Sequence, residues 1–125
     1  MSNVRKEIET INATSPLTAV DSGKVFMVGG GAGIVITLPA ATTAGLIFKF
    51  ILVDSTNLVT ISSPTANIYG VLSVQSGTNR IACAGETSVV FAANALIGDS
   101  IEFISNGVNY YATGFGAHAA SFTTA

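Results

Sequence analysis

The residues of this sequence that could support catalysis or bind a metal occur singly. There is one histidine, His118, and one cysteine, Cys83, and they lie far apart along the chain. A cysteine nucleophile needs an activating neighbour and a structural zinc site needs about four ligands, so neither residue forms a recognisable site. Cys83 lies among small apolar residues in RIACAGE and is predicted to pack in the core. His118 lies in the segment GFGAHAAS and is predicted to have no catalytic role.

The carboxylates do not form the pair that acid–base hydrolysis of glycosides requires. Asp99 and Glu102 are three positions apart on a predicted strand, so their side chains are expected on opposite faces. Asp54 in VDSTN and Glu86 in AGET lie where turns are predicted, and a carboxylate there caps backbone N–H groups. We therefore expect no enzymatic activity, no cofactor and no metal ion.

The glycine run VGGGAGI resembles a phosphate-binding loop only superficially. The dinucleotide pattern G-x-G-x-x-G beginning at Gly29 requires glycine at position 34, where this sequence has Ile34. A strand follows the run, and it lacks the helix N-terminus that would bind a phosphate. The run is predicted instead to be the loop of a hairpin between KVFMV (24–28) and GIVITL (33–38).

The composition predicts a protein that works inside an assembly. Hydrophobic residues make up 49% of the chain and charged residues 10%, whereas an average soluble domain has about 25% charged residues. A protein whose surface carries so few charges is expected to be poorly soluble when it is isolated. The net charge of −2 without a basic cluster argues against a nucleic-acid partner. No apolar run reaches the ~18 residues of a membrane-spanning helix, so no membrane partner is expected.

The spacing of apolar residues predicts an all-β fold. From Leu17 onwards, short apolar or alternating stretches are separated by turn residues every ~8–12 positions, the pattern of sandwiches and barrels. We predict a single antiparallel β-sandwich or jelly-roll-like barrel over residues 17–114, with an extended N-terminal arm (1–16) and a C-terminal tail (115–125). The start, MSNVRKEIET, lacks the apolar region of a secretion signal, so synthesis and retention in a cytoplasm are expected.

The dipeptide Asn106-Gly107 predicts the final hairpin, because it tolerates the positive φ angles of a type I′ turn. With these two residues as the loop, Ser105 would pair with Val108 and Phe103 with Tyr110. Alternation then divides the hairpin into two faces. The predicted core face consists of Ile101, Phe103, Tyr110 and Ala112, and the opposite face carries Glu102 and Tyr111.

The stretch from Leu46 to Val53 is predicted to be a strand with two apolar faces. One face, formed by Leu46, Phe48, Phe50 and Leu52, would fill the sandwich. The other must be covered by a further sheet or by another subunit, and the low charge of the chain favours the subunit. The residues predicted to form this oligomer interface are Ile47, Lys49, Ile51 and Val53.

Three segments resemble small bacteriophage structural proteins, the decoration or cement proteins that lie on the outside of the head: LTAVDSGKVFMVGGGAGIVITLPA, GLIFKFILV and GDSIEFISNGVNYYATGFGA. The resemblance covers about residues 17–117. It rests on turns, strand lengths and an apolar strand, and it is also shared by β-modules of tail spikes and fibres. This family often has tryptophan in the closing hairpin, where the present sequence has Tyr110.

The resemblance implies a homotrimer on the outer surface of a phage head, made in the host cytoplasm. Its partner would be the major capsid protein, whose neighbouring subunits it would bridge. The terminal arms would be ordered by lying along the shell, although a disordered tail is an alternative. The residues expected to anchor the arms are Val4, Ile8, Ile11, Phe115 and Phe122. A second hypothesis is the head or oligomerisation module of a tail fibre or spike, which would bind a receptor or glycan.

Overall fold

The computed structural model describes residues 6–30, 32–75 and 80–125, which fold into two β-sheets packed face to face. The described residues contain twelve strands and one short 3₁₀ turn at Ala19–Asp21. None of their helices is long and apolar enough to cross a membrane. The strands are β1 (Ile8–Ile11), β2 (Ser15–Pro16), β3 (Val25–Gly29), β4 (Ile34–Thr37), β5 (Ala44–Asp54), β6 (Val59–Ser62), β7 (Ile68–Val74), β8 (Arg80–Glu86), β9 (Ser88–Phe91), β10 (Ser100–Asn106), β11 (Tyr110–Gly116) and β12 (Phe122–Thr124).

The predicted all-β sandwich is confirmed, but its sheets are mixed and not wholly antiparallel. The larger sheet has the order β1-β3-β5-β10-β11-β7-β8, and the smaller has β12-β9-β6-β4-β2. Strands β1, β3 and β5 run parallel in one sheet, and β2, β4 and β6 run parallel in the other. The chain therefore alternates between the two sheets over its first seven strands. This threading replaces hairpins with crossovers through the opposite sheet.

The hairpin predicted around the glycine run is wrong, because β3 belongs to the larger sheet and β4 to the smaller. Gly29 ends β3 with a φ of +127°, and a Cβ atom there would lie 2.2 Å from the carbonyl oxygen of Asp54. Glycine is required at this position since the chain crosses the end of β5 too closely for any side chain. Gly31 lies outside the described residues.

The final hairpin is present with a register that differs from the predicted one. Ser105 pairs with Tyr110 and Phe103 pairs with Ala112, so the two-residue loop is Gly107-Val108. Gly107 has a φ of +97°, and the side chain of Asn106 accepts hydrogen bonds from the N–H groups of Val108 and Asn109. The partners have moved by two residues, which leaves every side chain on its predicted face. The predicted core face of this hairpin is therefore confirmed.

Aromatic rings fill the middle of the core. Phe26 stacks on Phe50 with ring centroids 5.3 Å apart, and Phe50 meets the edge of Phe103 at 5.9 Å. Tyr110 meets the rings of both Phe103 and Phe48 at 6.4 Å. All five side chains are fully buried. Tyr110 keeps its hydroxyl satisfied by donating a hydrogen bond to the backbone carbonyl of Pro39, which joins the two sheets at that end.

The terminal segments predicted to be arms contribute strands to the sandwich. β1 pairs with β3 in the larger sheet, and Ile11 at its end is buried. β12 pairs with β9 in the smaller sheet, where Phe122 is buried 5.6 Å from the ring of Phe91. The division into a body and two free arms is therefore wrong for these strands, since backbone pairing and burial of an apolar side chain hold each of them in place.

A cluster of charges also secures β1. The ammonium group of Lys24 lies 3.0 Å from carboxylate oxygens of Glu9 and Asp21 and 3.4 Å from Glu7. The hydrogen bonds to Glu9 and Asp21 raise the pKa of Lys24, so this cation stays charged beyond its usual range. The cluster links the edge strand to the turn before β3.

Replacing Gly107 by valine should destabilise the fold by about 1–3 kcal/mol, because a β-branched residue is strained at positive φ. The midpoint of urea unfolding measures this cost. Val108→Ala at the exposed neighbouring loop position is the control and should change stability by less than about 0.5 kcal/mol. Equal midpoints for the two variants would contradict the loop assignment.

Tyr110→Phe should cost about 0.5–1.5 kcal/mol at neutral pH, because it removes the hydrogen bond that the buried hydroxyl donates to the carbonyl of Pro39, a half-buried residue. Burial raises the pKa of Tyr110 from 10 to about 12. The unfolded chain therefore loses this proton at lower pH than the folded chain, and the stability that Tyr110 contributes declines as the pH rises from 10 to 12.

Chemical denaturation of both proteins across this alkaline range tests the effect. The difference in free energy of unfolding between the native protein and the phenylalanine variant should shrink as the pH rises. A difference that stays constant would show that the phenol is not held protonated by the fold.

Candidate interaction surface

The outer face of the larger sheet carries the most distinctive surface of the described residues. Its strands expose apolar side chains that alternate with the buried core residues, and Ile104, Tyr111 and Phe115 are 42%, 44% and 63% exposed. Isolated exposed apolar residues are common on proteins, but a contiguous apolar patch on a sheet indicates a binding surface. We call this face the outer face.

Strand register arranges the outer face into three rows that run across the sheet. The first row consists of Ile47, Ile104, Tyr111, Tyr69 and Ala84. The second consists of Ile8, Val25, Lys49, Glu102, Thr113 and Val71. The third consists of Thr10, Met27, Ile51, Ser100, Phe115 and Ser73. Lys49 and Glu102 are the charged members of the second row, and Arg80 continues the third row beyond Ser73 on the edge strand β8. The other positions of the three rows are apolar or uncharged.

Lys49 and Glu102 form the charged centre of the outer face. They are direct neighbours on β5 and β10, near the middle of the seven strands. The ion pairs recorded among the described residues all belong to Lys24, so these two charges have no ion-pair partner there. With Ser100, Thr113 and Phe115 they line a shallow depression of about 80 Å³. The depression is too small for a drug-sized ligand, which needs roughly 300 Å³ or more.

A pair of tyrosines lies at one end of the outer face. The rings of Tyr69 and Tyr111 are 6.4 Å apart, and both are partly exposed. The side-chain amide of Asn106 donates a hydrogen bond to the hydroxyl of Tyr111 at 3.3 Å. The pair therefore presents two ring surfaces beside polar groups, an arrangement that is suited to protein contacts or to stacking against a sugar.

The structure places the predicted interface residues on the outer face. Ile47 and Val53 are exposed, Lys49 and Ile51 are half-buried, and their role in self-association stays a prediction. Two predicted anchors of the arms, Ile8 and Phe115, also lie on this face.

Two of the other predicted anchors are buried, and the third is not among the described residues. Ile11 and Phe122 belong to the core, which corrects their assignment as contacts with a shell. Val4 lies outside the described residues.

The residues considered for catalysis do not come together. Cys83 is a free, buried cysteine, and burial, with a further contribution from the Glu86 carboxylate, raises the pKa of its thiol. His118 occupies a turn in which its Nδ1 accepts a hydrogen bond from the N–H of Ala120. Within the described residues no group of three or more His, Cys, Asp or Glu side chains is placed to hold a metal ion.

Two carboxylates instead organise loops. Asp54 accepts a hydrogen bond from the N–H of Thr56, as predicted for a turn cap, and its hydrogen bonds with Thr56 lower its pKa. Asp99 is buried and accepts hydrogen bonds from the N–H groups of Leu96 and Ala117, both at 2.9 Å. It thereby fastens the segment leading to β12 onto the loop before β10. Sequence reasoning missed this role because the two donors lie on separate segments.

Sequence reasoning missed most of the outer face as a continuous surface, since it assigned an interface to β5 alone. It placed Glu102 and Tyr111 on the non-core face of the final hairpin, and the same alternation puts Ile104 on that face. The contribution of β7, with Tyr69 and Val71, depends on its parallel pairing with β11, which no local signal indicates.

Comparison with known proteins assigns no family, since no protein-family model and no curated protein sequence matches the chain. The proposal for its function consequently rests on the outer face, on the composition and on the resemblance of the three segments described above.

Phe122→Ala should destabilise the protein by about 3–5 kcal/mol, because it removes a buried ring and leaves a cavity beside Phe91. The exposed Phe115→Ala substitution is the matched control and should change the free energy of unfolding by less than about 0.5 kcal/mol. Urea titrations at low protein concentration keep self-association from contributing. If Phe122→Ala lowered the free energy of unfolding no more than Phe115→Ala does, the final segment would not be packed against the core.

Proposed function

We propose that this protein is a structural component of a virion, which decorates the outside of a bacteriophage head and stabilises it by bridging capsid subunits. The observation that carries the proposal is the exposed outer face on a β-sandwich with few charges. A surface of this kind is stabilised by contact with other subunits, and it is unfavourable for a protein that stays alone in water.

The body supports this proposal through its construction. The chain crosses repeatedly from one sheet to the other, and the described terminal strands pair with strands of the sandwich. A protein that braces a shell against internal pressure needs such a rigid frame, and it needs no moving lid or catalytic cleft. The concave site described above, the depression around Lys49, is shallow and has no catalytic group pair in its lining.

Self-association is part of the proposal. The predicted interface residues Ile47, Lys49, Ile51 and Val53 lie on the outer face, and burying apolar side chains there would contribute about 25 cal/mol for each Å² removed from water. The resemblance to decoration proteins implies three copies. Contacts with the major capsid protein would then fall to surfaces outside this interface, and the predicted anchor Val4 is the candidate that the truncation below tests.

The second candidate is a receptor- or glycan-binding module of a tail fibre or spike. The observation in its favour is the exposed pair Tyr69–Tyr111 with the adjacent amide of Asn106. Apolar faces of sugar rings stack on tyrosine, and amides bind their hydroxyls. The number of copies in a purified particle separates the two candidates, because decoration requires hundreds and a fibre or spike requires few.

Binding to empty, expanded heads that lack decoration tests the proposal directly. The full chain should co-sediment with the heads and saturate at a number of copies comparable to the number of capsid subunits. Deleting residues 1–5 should weaken this binding at least about tenfold while leaving the fold intact, because the first strand begins at Ile8.

The outcome of this experiment locates the attachment site. Full binding by the truncated chain would move the attachment onto the β-sandwich. Failure of the full chain to bind any heads, combined with a low copy number in particles, would overturn the decoration proposal in favour of the fibre module. Circular dichroism of the truncated chain serves as the folding control.

A further inference from the structure

We infer that the outer face pairs with the same face of a second copy of this chain around a two-fold axis that runs along the strands, between β5 and β10. This inference rests on the self-association in the proposed function and specifies its geometry, a two-fold pair in place of the implied trimer. Two-fold pairing is the commonest symmetry of soluble homo-oligomers, and it requires a surface that is complementary to itself.

The charges on the outer face meet that requirement. Rotation about the stated axis places β5 of one copy over β10 of the other and keeps each row of side chains in place. Lys49 of each copy then faces Glu102 of the other, so two opposite-charge contacts form at the centre of the interface. Neither charge has an ion-pair partner within the described chain, whereas both gain one in the pair.

The apolar rows match under the same rotation. In the first row Ile47 faces Ile104 of the second copy, and in the third row Met27 faces Phe115. A thioether against an aromatic ring is a favourable contact. The most exposed ring on this sheet face, that of Phe115, is thereby covered by a side chain of matching character.

The size of the face is sufficient for a stable pair. Six strands about 4.8 Å apart and three rows about 6.8 Å apart cover roughly 600 Å² on each copy. The two copies together would bury about 1,200 Å² or somewhat more, the lower end of the range for specific interfaces. Face-to-face sheets also pack with their strands within about 30° of each other, which keeps the central contacts aligned.

Charge reversal tests the inference. Lys49→Glu and Glu102→Lys should each weaken self-association at least about tenfold, because both central contacts become like-charge contacts. An equimolar mixture of the two variants should restore a two-copy species, since both contacts in the mixed pair are again of opposite sign. The double variant should also associate as the native chain does.

The mixture is the decisive sample. Each single variant also places like charges next to each other within one chain, and mixing cannot relieve that repulsion, so recovery on mixing reports contacts between copies. Sedimentation equilibrium at several protein and salt concentrations measures the association, and thermal unfolding confirms that the single variants are folded. Val20→Glu, at a highly exposed position outside the outer face, is the control for adding a charge.

Four outcomes would overturn the inference: a native chain that stays monomeric at high micromolar concentration, a three-copy native species, single variants that associate normally, or a mixture that stays dissociated. These outcomes are distinct from a failure of the decoration role. A chain that pairs as described but does not bind phage heads would contradict only the decoration role. A chain that binds heads without pairing would contradict this inference and the self-association on which it rests, and would leave the decoration role standing.

Discussion

The line of aromatic rings through the core is the interaction on which the other features of the molecule depend. The rings of Phe26, Phe50, Phe103, Tyr110 and Phe48 touch in succession across four neighbouring strands of the larger sheet. Because side chains alternate along a strand, a slip by one residue would move a ring from the core to water. The rings thus hold the register of β3, β5, β10 and β11, and with it the arrangement of the outer face.

Much of this arrangement was predictable, because the alternation of apolar and polar residues along a strand indicates which side chains are buried. The two faces of β5 and of the final hairpin were predicted correctly, and the two-residue error in the hairpin register left both faces unchanged. The pairing of distant strands was not predictable. Parallel neighbours such as β7 and β11 are separated by several other strands in the chain, so no local turn signal reports their contact. The hairpin predicted at the glycine run was wrong for a related reason. Glycine is needed at position 29 because the backbone of Asp54, which is distant in sequence, approaches it closely.

The end of the chain illustrates how composition alone can mislead. The segment after β11 is rich in small and polar residues, which is typical of a free tail. Its order comes from particular contacts: the carboxylate of Asp99 binds the N–H of Ala117, a turn joins His118 to Ser121, and Phe122 enters the core. The turn is local, but the contacts of Ala117 and Phe122 involve partners that are distant in the sequence. The candidate surface was predictable to the same degree, strand by strand and without its neighbours.

The alternation of the chain between sheets has a consequence for how the protein folds. Within the first six strands, consecutive strands lie in opposite sheets, so no two of them form a hairpin that could be stable early. The antiparallel pairs β7–β8 and β10–β11 are the local units that the described residues provide. We expect folding to start in this second half, with the first half wrapping onto it afterwards. Folds dominated by distant pairings form slowly, and until the wrapping is complete the aromatic rings of β3 and β5 stay open to aggregation.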